Sequence, residues 1–521
     1  MPGGGLLTLV AYGAQNVLLS GNPQMTYFYK AFKRYSHFSM ENISVPLEGP
    51  NELAYDQPVR VRAKIPRYAE LLSDMYFSFR IPDIYSKFVT PVPGGRTSQF
   101  EFQWVKYLGA AIIQNAAFFV GGQKIQEFTG QYLMSKTYID MDTDQLVKWN
   151  HLVGNVDDIK DPKEGTFAGG TNNMGYPTVI KDSTRAATAQ VNRPSIFGRD
   201  IHIPLTFWFT DSPANALPLI GLQYHDCEVQ LTLAPISQLY TVLDASGYRV
   251  HPEFVMRAPY TNIQANLPDY ASAPDMSGEI RQFFTDFGYT VPPLDGWFLN
   301  ARLQCTYIYL PKEEQQIFAS RPLSYLISQT TTYPFNGIFN RQLLDLETHN
   351  PITRLIIVPQ RSDTLQRNDF GNFTNWASYP LPPFLPPPGL TPAQNYLNTG
   401  YSSGLLVPNA QMNTIRAIRV LCDGNEIQEQ KPIDFFTGIS LYKYATGMGL
   451  DGLPIYTFEL ASPGTQPSGS INASRIRVFQ VELDVYPLPA GTTYTYDVNI
   501  YVESINWFEV VSGMGGLKYA L

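Results

Sequence analysis

The segment Gly122-Gln-Lys-Ile125-Gln126-Glu127 returns 302 positions later as Gly424-Asn-Glu-Ile427-Gln428-Glu429, each time directly behind an apolar run. The two runs agree in phase: Ala116, Phe118 and Val120 stand at the same offsets as Ile418, Val420 and Cys422. Alternation of this kind describes a strand that enters a tight glycine turn, with a second strand leaving it. A repeat this long is not the period of a solenoid, in which units of 20 to 50 residues stack. The chain therefore reads as one β-domain used twice.

Length and composition agree with two large domains. The 521 residues allow two all-β units of about 200 to 250 residues each. Aromatic residues make up 13% and charged residues only 16%, with 39 Gly and 41 Pro, a mixture that favours many strands joined by irregular turns over long helices. The formal net charge of −8, with no Lys/Arg run longer than a pair, excludes a protein that coats nucleic acid. Cys227, Cys305 and Cys422 lie in alternating apolar surroundings without CxxC spacing, so they read as buried free thiols of a chain folded in a reducing compartment. The apolar start Leu6-Leu7-Thr-Leu9-Val10 is too short to span a membrane, and with no basic residue before Lys30 it is not a secretory leader.

Along the chain, Asn22-Pro23 reads as a helix cap, with Tyr27, Phe28, Ala31, Phe32 and Tyr35 at helical spacing behind it. Strands are expected at 43–47, 59–65, 75–81, 201–209, 224–233, 298–310, 355–358, 476–486 and 494–507, with a short helix at 311–319. Residues 216–222 read as a buried, proline-broken corner, and 150–200 and 360–412 as long excursions. The expected organisation is an N-terminal arm at 1–27, a first β-domain at 28–237, an inserted loop or linker region at 238–295 and a second β-domain at 296–521.

No constellation for catalysis, cofactor or metal is expected. Gly400-Tyr-Ser402-Ser-Gly404 has the GxSxG spacing, but the last histidine of the chain, His349, precedes it, so no downstream base can serve. Asp140-Met-Asp142-Thr-Asp144 opens like a calcium loop, yet Gln145 stands at the glycine position and His151 at the bidentate glutamate, so it reads as a solvated acidic face. The six histidines are scattered, and His225 with Asp226 reads as a core or edge pair. Of the sequons at Asn42, Asn372 and Asn472, only Asn372 lies in a loop, and it is the candidate glycosylation site. The apolar side chains Leu6, Leu7, Leu9, Val10, Tyr27, Phe28 and Phe32 form the candidate docking segment, toward another protein or their own domain.

The stretches Tyr12-Gly-Ala-Gln-Asn-Val17, Ser20 to Phe28 and Arg34-Tyr-Ser-His-Phe38 resemble the N-terminal signature of major capsid proteins of nucleocytoplasmic large double-stranded DNA viruses. Ile203 to Phe209, Ala216 to His225, Tyr307 to Gln329, Asn350 to Val358, Asn472 to Ile476 and Ser512 to Leu517 are similar to later blocks of the same family, in order. The resemblance implies an all-β double jelly roll: two tandem eight-stranded jelly rolls with long inserted loops and few short helices. It further implies a homotrimer acting as a pseudo-hexagonal capsomer in an icosahedral shell, assembled in the host cytoplasm. Loops 83–113, 150–200, 360–412 and 440–470 would build the outward tower and the intersubunit contacts, with surface glycans or a host receptor as candidate outer partners. The N-terminal segment would lie inward, against minor capsid or penton proteins and the layer over an internal membrane. Pro311-Lys312, where the family carries an acidic residue, and the long 238–295 segment keep a minor jelly-roll paralogue as an alternative. A tandem jelly-roll protein that binds carbohydrate or a receptor is the alternative from another class; it would need a leader and paired cysteines.

Overall fold

The computed structural model describes residues 3–30, 32–86, 101–162, 176–177, 194–243, 249–252, 280–284, 296–375, 413–461, 466–488 and 494–519. The GxSxG stretch and the proline run 380–388 lie outside them. In the first module the main strands are β1 (Ser39–Pro46), β2 (Val59–Lys64), β3 (Leu71–Arg80), β4 (Ile113–Val120), β5 (Gln123–Phe128), β6 (Asp200–Pro204), β7 (Cys227–Leu233) and β8 (Arg302–Tyr309). The second module is built from β9 (Leu323–Ile338), β10 (Gln342–Leu346), β11 (Pro351–Arg361), β12 (Ile415–Cys422), β13 (Asn425–Pro432), β14 (Ile455–Thr457), β15 (Phe479–Val485) and β16 (Tyr496–Val511).

Sheet order makes the duplication explicit. The first module pairs its strands as β1-β8-β3-β6 and β2-β7-β4-β5, and the second as β9-β16-β11-β14 and β10-β15-β12-β13. Each strand of one module thus has a counterpart in the other. Two facing sheets wound in this order are a jelly roll, so the chain is a double jelly roll. The repeated hairpins match down to their irregularity: Phe118 pairs Gln126 and Phe119 pairs Lys124, while Val420 pairs Gln428 and Leu421 pairs Glu426. Both turns place two consecutive residues at positive φ, Gly121 and Gly122 in one and Asp423 and Gly424 in the other. Turns of this hand follow the natural twist of a hairpin, which is why Gly and Asp-Gly recur there.

Three expectations about organisation need correction. The strand at 298–310, read as opening the second domain, closes the first: β8 runs antiparallel to β1 from Ser39↔Tyr309 to Pro46↔Arg302, and its other edge pairs with β3. Alternation marks a strand but carries no record of its neighbours, and a jelly roll needs its last strand beside its first. The segment read as a linker begins inside the first module, where Tyr240–Leu243 pairs with Phe102–Trp104 and Leu239, Tyr240 and Val242 are buried. The helix expected over 23–35 is absent from the described residues; instead α1 (Gly4–Val10) and α2 (Ala14–Ser20) precede residues 21–30 and 32–38, which are irregular and exposed. A helix of this length is marginal without a surface to bury its apolar face, and residues 22–30 and 32–38 bury nothing.

The helices that do form are short. After β5 come α3 (Gly130–Asp140) and α4 (Thr143–Leu152), capped by the Thr129 and Asp142 side chains. α5 (Lys312–Ser320) begins behind Pro311, as expected, and joins the modules. Residues 101–111, placed in an outward loop by the resemblance, are mostly buried, with Phe102, Trp104, Leu108 and Ala110 in the core. The corner at 216–222 is buried as anticipated through Ala216, Leu217, Leu219 and Leu222.

Cys227, Cys305 and Cys422 are buried free thiols. Burial pushes the Cys227 and Cys305 thiols up to about 12 and that of Cys422 up to about 11. Since the thiolate is the nucleophile, none of the three should react with Ellman's reagent at pH 8 in the native protein, and all three should react in guanidinium. Rapid labelling of the folded chain would contradict this burial.

Candidate assembly surfaces

Two features bear on a protein that works by contact: the internal seam that fixes the two modules against each other, and the exposed N-terminal arm. The seam begins with a helix. α3 lies against the outer face of β16 and β11, and Tyr132 packs on Tyr501 with ring centroids 5.4 Å apart. Trp208, in the turn after β6, meets Tyr325 at 5.5 Å and Phe508 at 5.4 Å. Amide groups fill the gaps: Asn499 Nδ2 donates to Gln131 Oε1 at 2.8 Å, and Gln329 Nε2 donates to the Ile125 carbonyl at 2.6 Å. The large core of the first module continues through Ile327, Ile356, Tyr501 and Phe508 of the second. The seam is therefore both packed and hydrogen-bonded.

At its centre sits a buried ion cluster. Arg354, 2% exposed, donates from Nε to Glu503 Oε2 at 2.8 Å and from Nη1 and Nη2 to Asp140 at 2.5 and 3.0 Å. Tyr132 Oη donates to Glu503 Oε1 at 2.6 Å, and Lys136 Nζ stands 3.9 Å from Asp211. Burial alone would neutralise such groups. It is outweighed at Arg354 by Asp140 and Glu503, which hold the guanidinium well above its ordinary value, and at Glu503 by Arg354 and then Lys136, which hold the carboxylate below its own. An adjoining crevice of about 530 Å³ is lined by both modules, among others by Tyr76, Lys136, Thr206, Leu326, Arg354 and Glu503.

The sequence reading located little of this. Asp140, assigned to a solvated acidic face, is instead the buried partner of Arg354, and Asp142 caps α4 by accepting from the Gln145 amide. Arg354 and Glu503 were detectable as charges interrupting the apolar runs around Leu355 and Tyr501. His225 and Asp226 point to different partners, the Gly515 carbonyl at 2.9 Å and Lys64 at 2.7 Å.

Asn372, the candidate glycosylation site, is 1% exposed; its Nδ2 donates to Asp369, and its Oδ1 accepts from Thr374. A side chain so enclosed cannot present itself to a transferase. The local Asx geometry, which no sequon shows, turned it inward.

The residues of the candidate docking segment are exposed. Leu6, Leu7, Leu9, Val10 and Phe32 are all at least 69% exposed, Tyr27 is 90% exposed and Phe28 99%. No residue of α1 or α2 is buried, so among the described residues the arm does not rest on its own domain.

A double jelly roll, knitted at a central seam and trailing an apolar arm, is an architecture that viral capsid proteins use. Sequence models bear this out. The "Major capsid protein N-terminus" family matches residues 26–271, and "Large eukaryotic DNA virus major capsid protein" matches 314–516. The chain belongs to the major capsid protein family of large eukaryotic DNA viruses. Similar relatives include the major capsid proteins of Pyramimonas orientalis virus (27% identical, covering 99% of this chain and 100% of the relative) and Paramecium bursaria Chlorella virus 1 (25% identical, 99% of each). Among solved structures, PBCV-1 VP54 superimposes with a TM-score of 0.63 at 19% identity, over 95% of this chain and 100% of the other. The Faustovirus major capsid protein gives 0.61 at 12% identity, over 96% and 94%.

Proposed function

We infer that this chain is a structural capsid protein that self-associates into trimeric, pseudo-hexagonal capsomers tiling the icosahedral shell of a large double-stranded DNA virus. The observation that carries the reading is the strand-for-strand duplication: two equivalent modules per chain let three chains present six similar sides to a hexagonal lattice. Shell building acts through area buried between chains and through repetition rather than through reacting groups. The named roles of the relatives support the same reading, including one as the major component. The exposed arm fits an inward partner, either a minor capsid protein or the layer over an internal membrane, with assembly in the host cytoplasm.

Electron microscopy of the purified protein tests this. Three-fold class averages with a hexagonal outline are expected, at about 176 kDa for three chains of 58.6 kDa. Particles that remain monomeric at micromolar concentration would favour a monovalent binding protein instead.

A further inference from the structure

The seam within one chain is a template for a contact between chains. α3 follows β5 and seats on the sheet β9-β16-β11-β14. The counterpart of α3 in the second module is the helical segment that follows β13, Phe435–Ile439 running into α6 (Ser440–Tyr444). The counterpart of its seat is the sheet β1-β8-β3-β6 of the first module. Within one chain these two counterparts do not meet: Tyr442 is 93% exposed and Ile439 58%.

The correspondence extends to single residues. In the second module the β11–β16 ladder pairs Arg354 with Glu503 and steps across an irregularity to Ile352↔Ser504. In the first, the β3–β8 ladder pairs Asp74 with Thr306 and steps across the matching irregularity to Leu72↔Tyr307. Asp74 therefore occupies the position of Arg354, and Thr306 that of Glu503. The charges are exchanged as well. Within the chain, an acid at the end of the helix, Asp140, meets a base on the strand; in the unpartnered pair, the base Lys443 stands near the end of the helix and the acid is on the strand. The strand face around Asp74 is polar, with Tyr76, Gln304 and Thr306 half-buried beside it and with Asp74 and Tyr76 also lining the crevice next to the seam, as the face under α3 is polar.

We propose that the segment Phe435–Tyr444 of one copy docks on the outer face of the β1-β8-β3-β6 sheet of a second copy, with Lys443 opposite Asp74. The occupant is a second copy of this chain because the chain itself displays both halves of the contact. Such a contact is head-to-tail, and alternating it with the internal seam generates a ring. The inference rests on the self-assembly reading above and names the surfaces that reading requires.

The test is mass photometry across a dilution series of the full chain, comparing wild type, Asp74→Lys, Lys443→Glu and the double exchange. Each single reversal sets like charges face to face and should raise the dissociation midpoint at least tenfold, while the double exchange should recover most of the loss. Ile439→Asp with Tyr442→Asp, on an exposed surface, should also dissociate the oligomer while leaving thermal unfolding of the dissociated chain unchanged. That arm decides the matter should Asp74→Lys fail to fold. Oligomers that persist unchanged in all variants would overturn the assigned surfaces while leaving self-assembly intact. A wild-type chain that never associates would defeat the assembly reading itself.

Discussion

Replacing Arg354 by alanine should cost about 3–5 kcal/mol of stability, because Glu503 and Asp140 would remain buried without their cation. Both carboxylates also lose charge-assisted hydrogen bonds at 2.5 to 3.0 Å. Urea unfolding of the purified variant measures the loss, and a change below about 1 kcal/mol would show the cluster to be dispensable. The pH response provides a second readout. In the wild type Glu503 has a folded pKa below its ordinary value, so its stabilisation is complete above the ordinary carboxylate range. That stabilisation is lost as pH falls through this range toward the depressed folded value. Without Arg354 only Lys136 and the Tyr132 hydroxyl remain to offset burial at Glu503, so the loss of stability on acidification should be shallower in the variant than in the wild type. A variant that lost packing alone would keep the wild-type slope.

Deleting residues 1–26 should leave the fold and its melting temperature essentially unchanged while abolishing incorporation into shells. The segment contributes no described buried side chain, yet carries Leu6, Leu7, Leu9, Val10, Leu18 and Leu19 into solvent, each at least 69% exposed. Apolar surface of this extent is costly to leave wet, and its burial against a partner would be worth about 25 cal/mol per Å² removed from water. Differential scanning calorimetry of the truncated chain tests the first half, and co-assembly with the inner capsid layer tests the second. A drop in melting temperature of several degrees would show instead that the arm folds back as core.

The two sides of the seam show how far the residues could be read. The repeated hairpin was legible because a type I′ turn and a shared bulge demand particular residues at fixed spacing, and Gly122 with Gly424 satisfy them locally. The thiols were legible for a similar reason, each lying in an alternating apolar run. The failures share the opposite property. The helix expected at 23–35 had correct periodicity but no surface to lie on, and Asn372 sat in a loop that folds inward. Asp140 looked like a solvated acid because its partner, Arg354, lies 214 positions away.

Local chemistry, namely alternation and turn residues, determined from the sequence alone that this is a duplicated β-protein. Tertiary structure alone decided which strand pairs with which, giving β8 to the first module, and which charges are buried together at the seam. The physical reason is that a side-chain pattern records whether a residue meets water or core, whereas the partner across a sheet or seam is chosen by long-range closure.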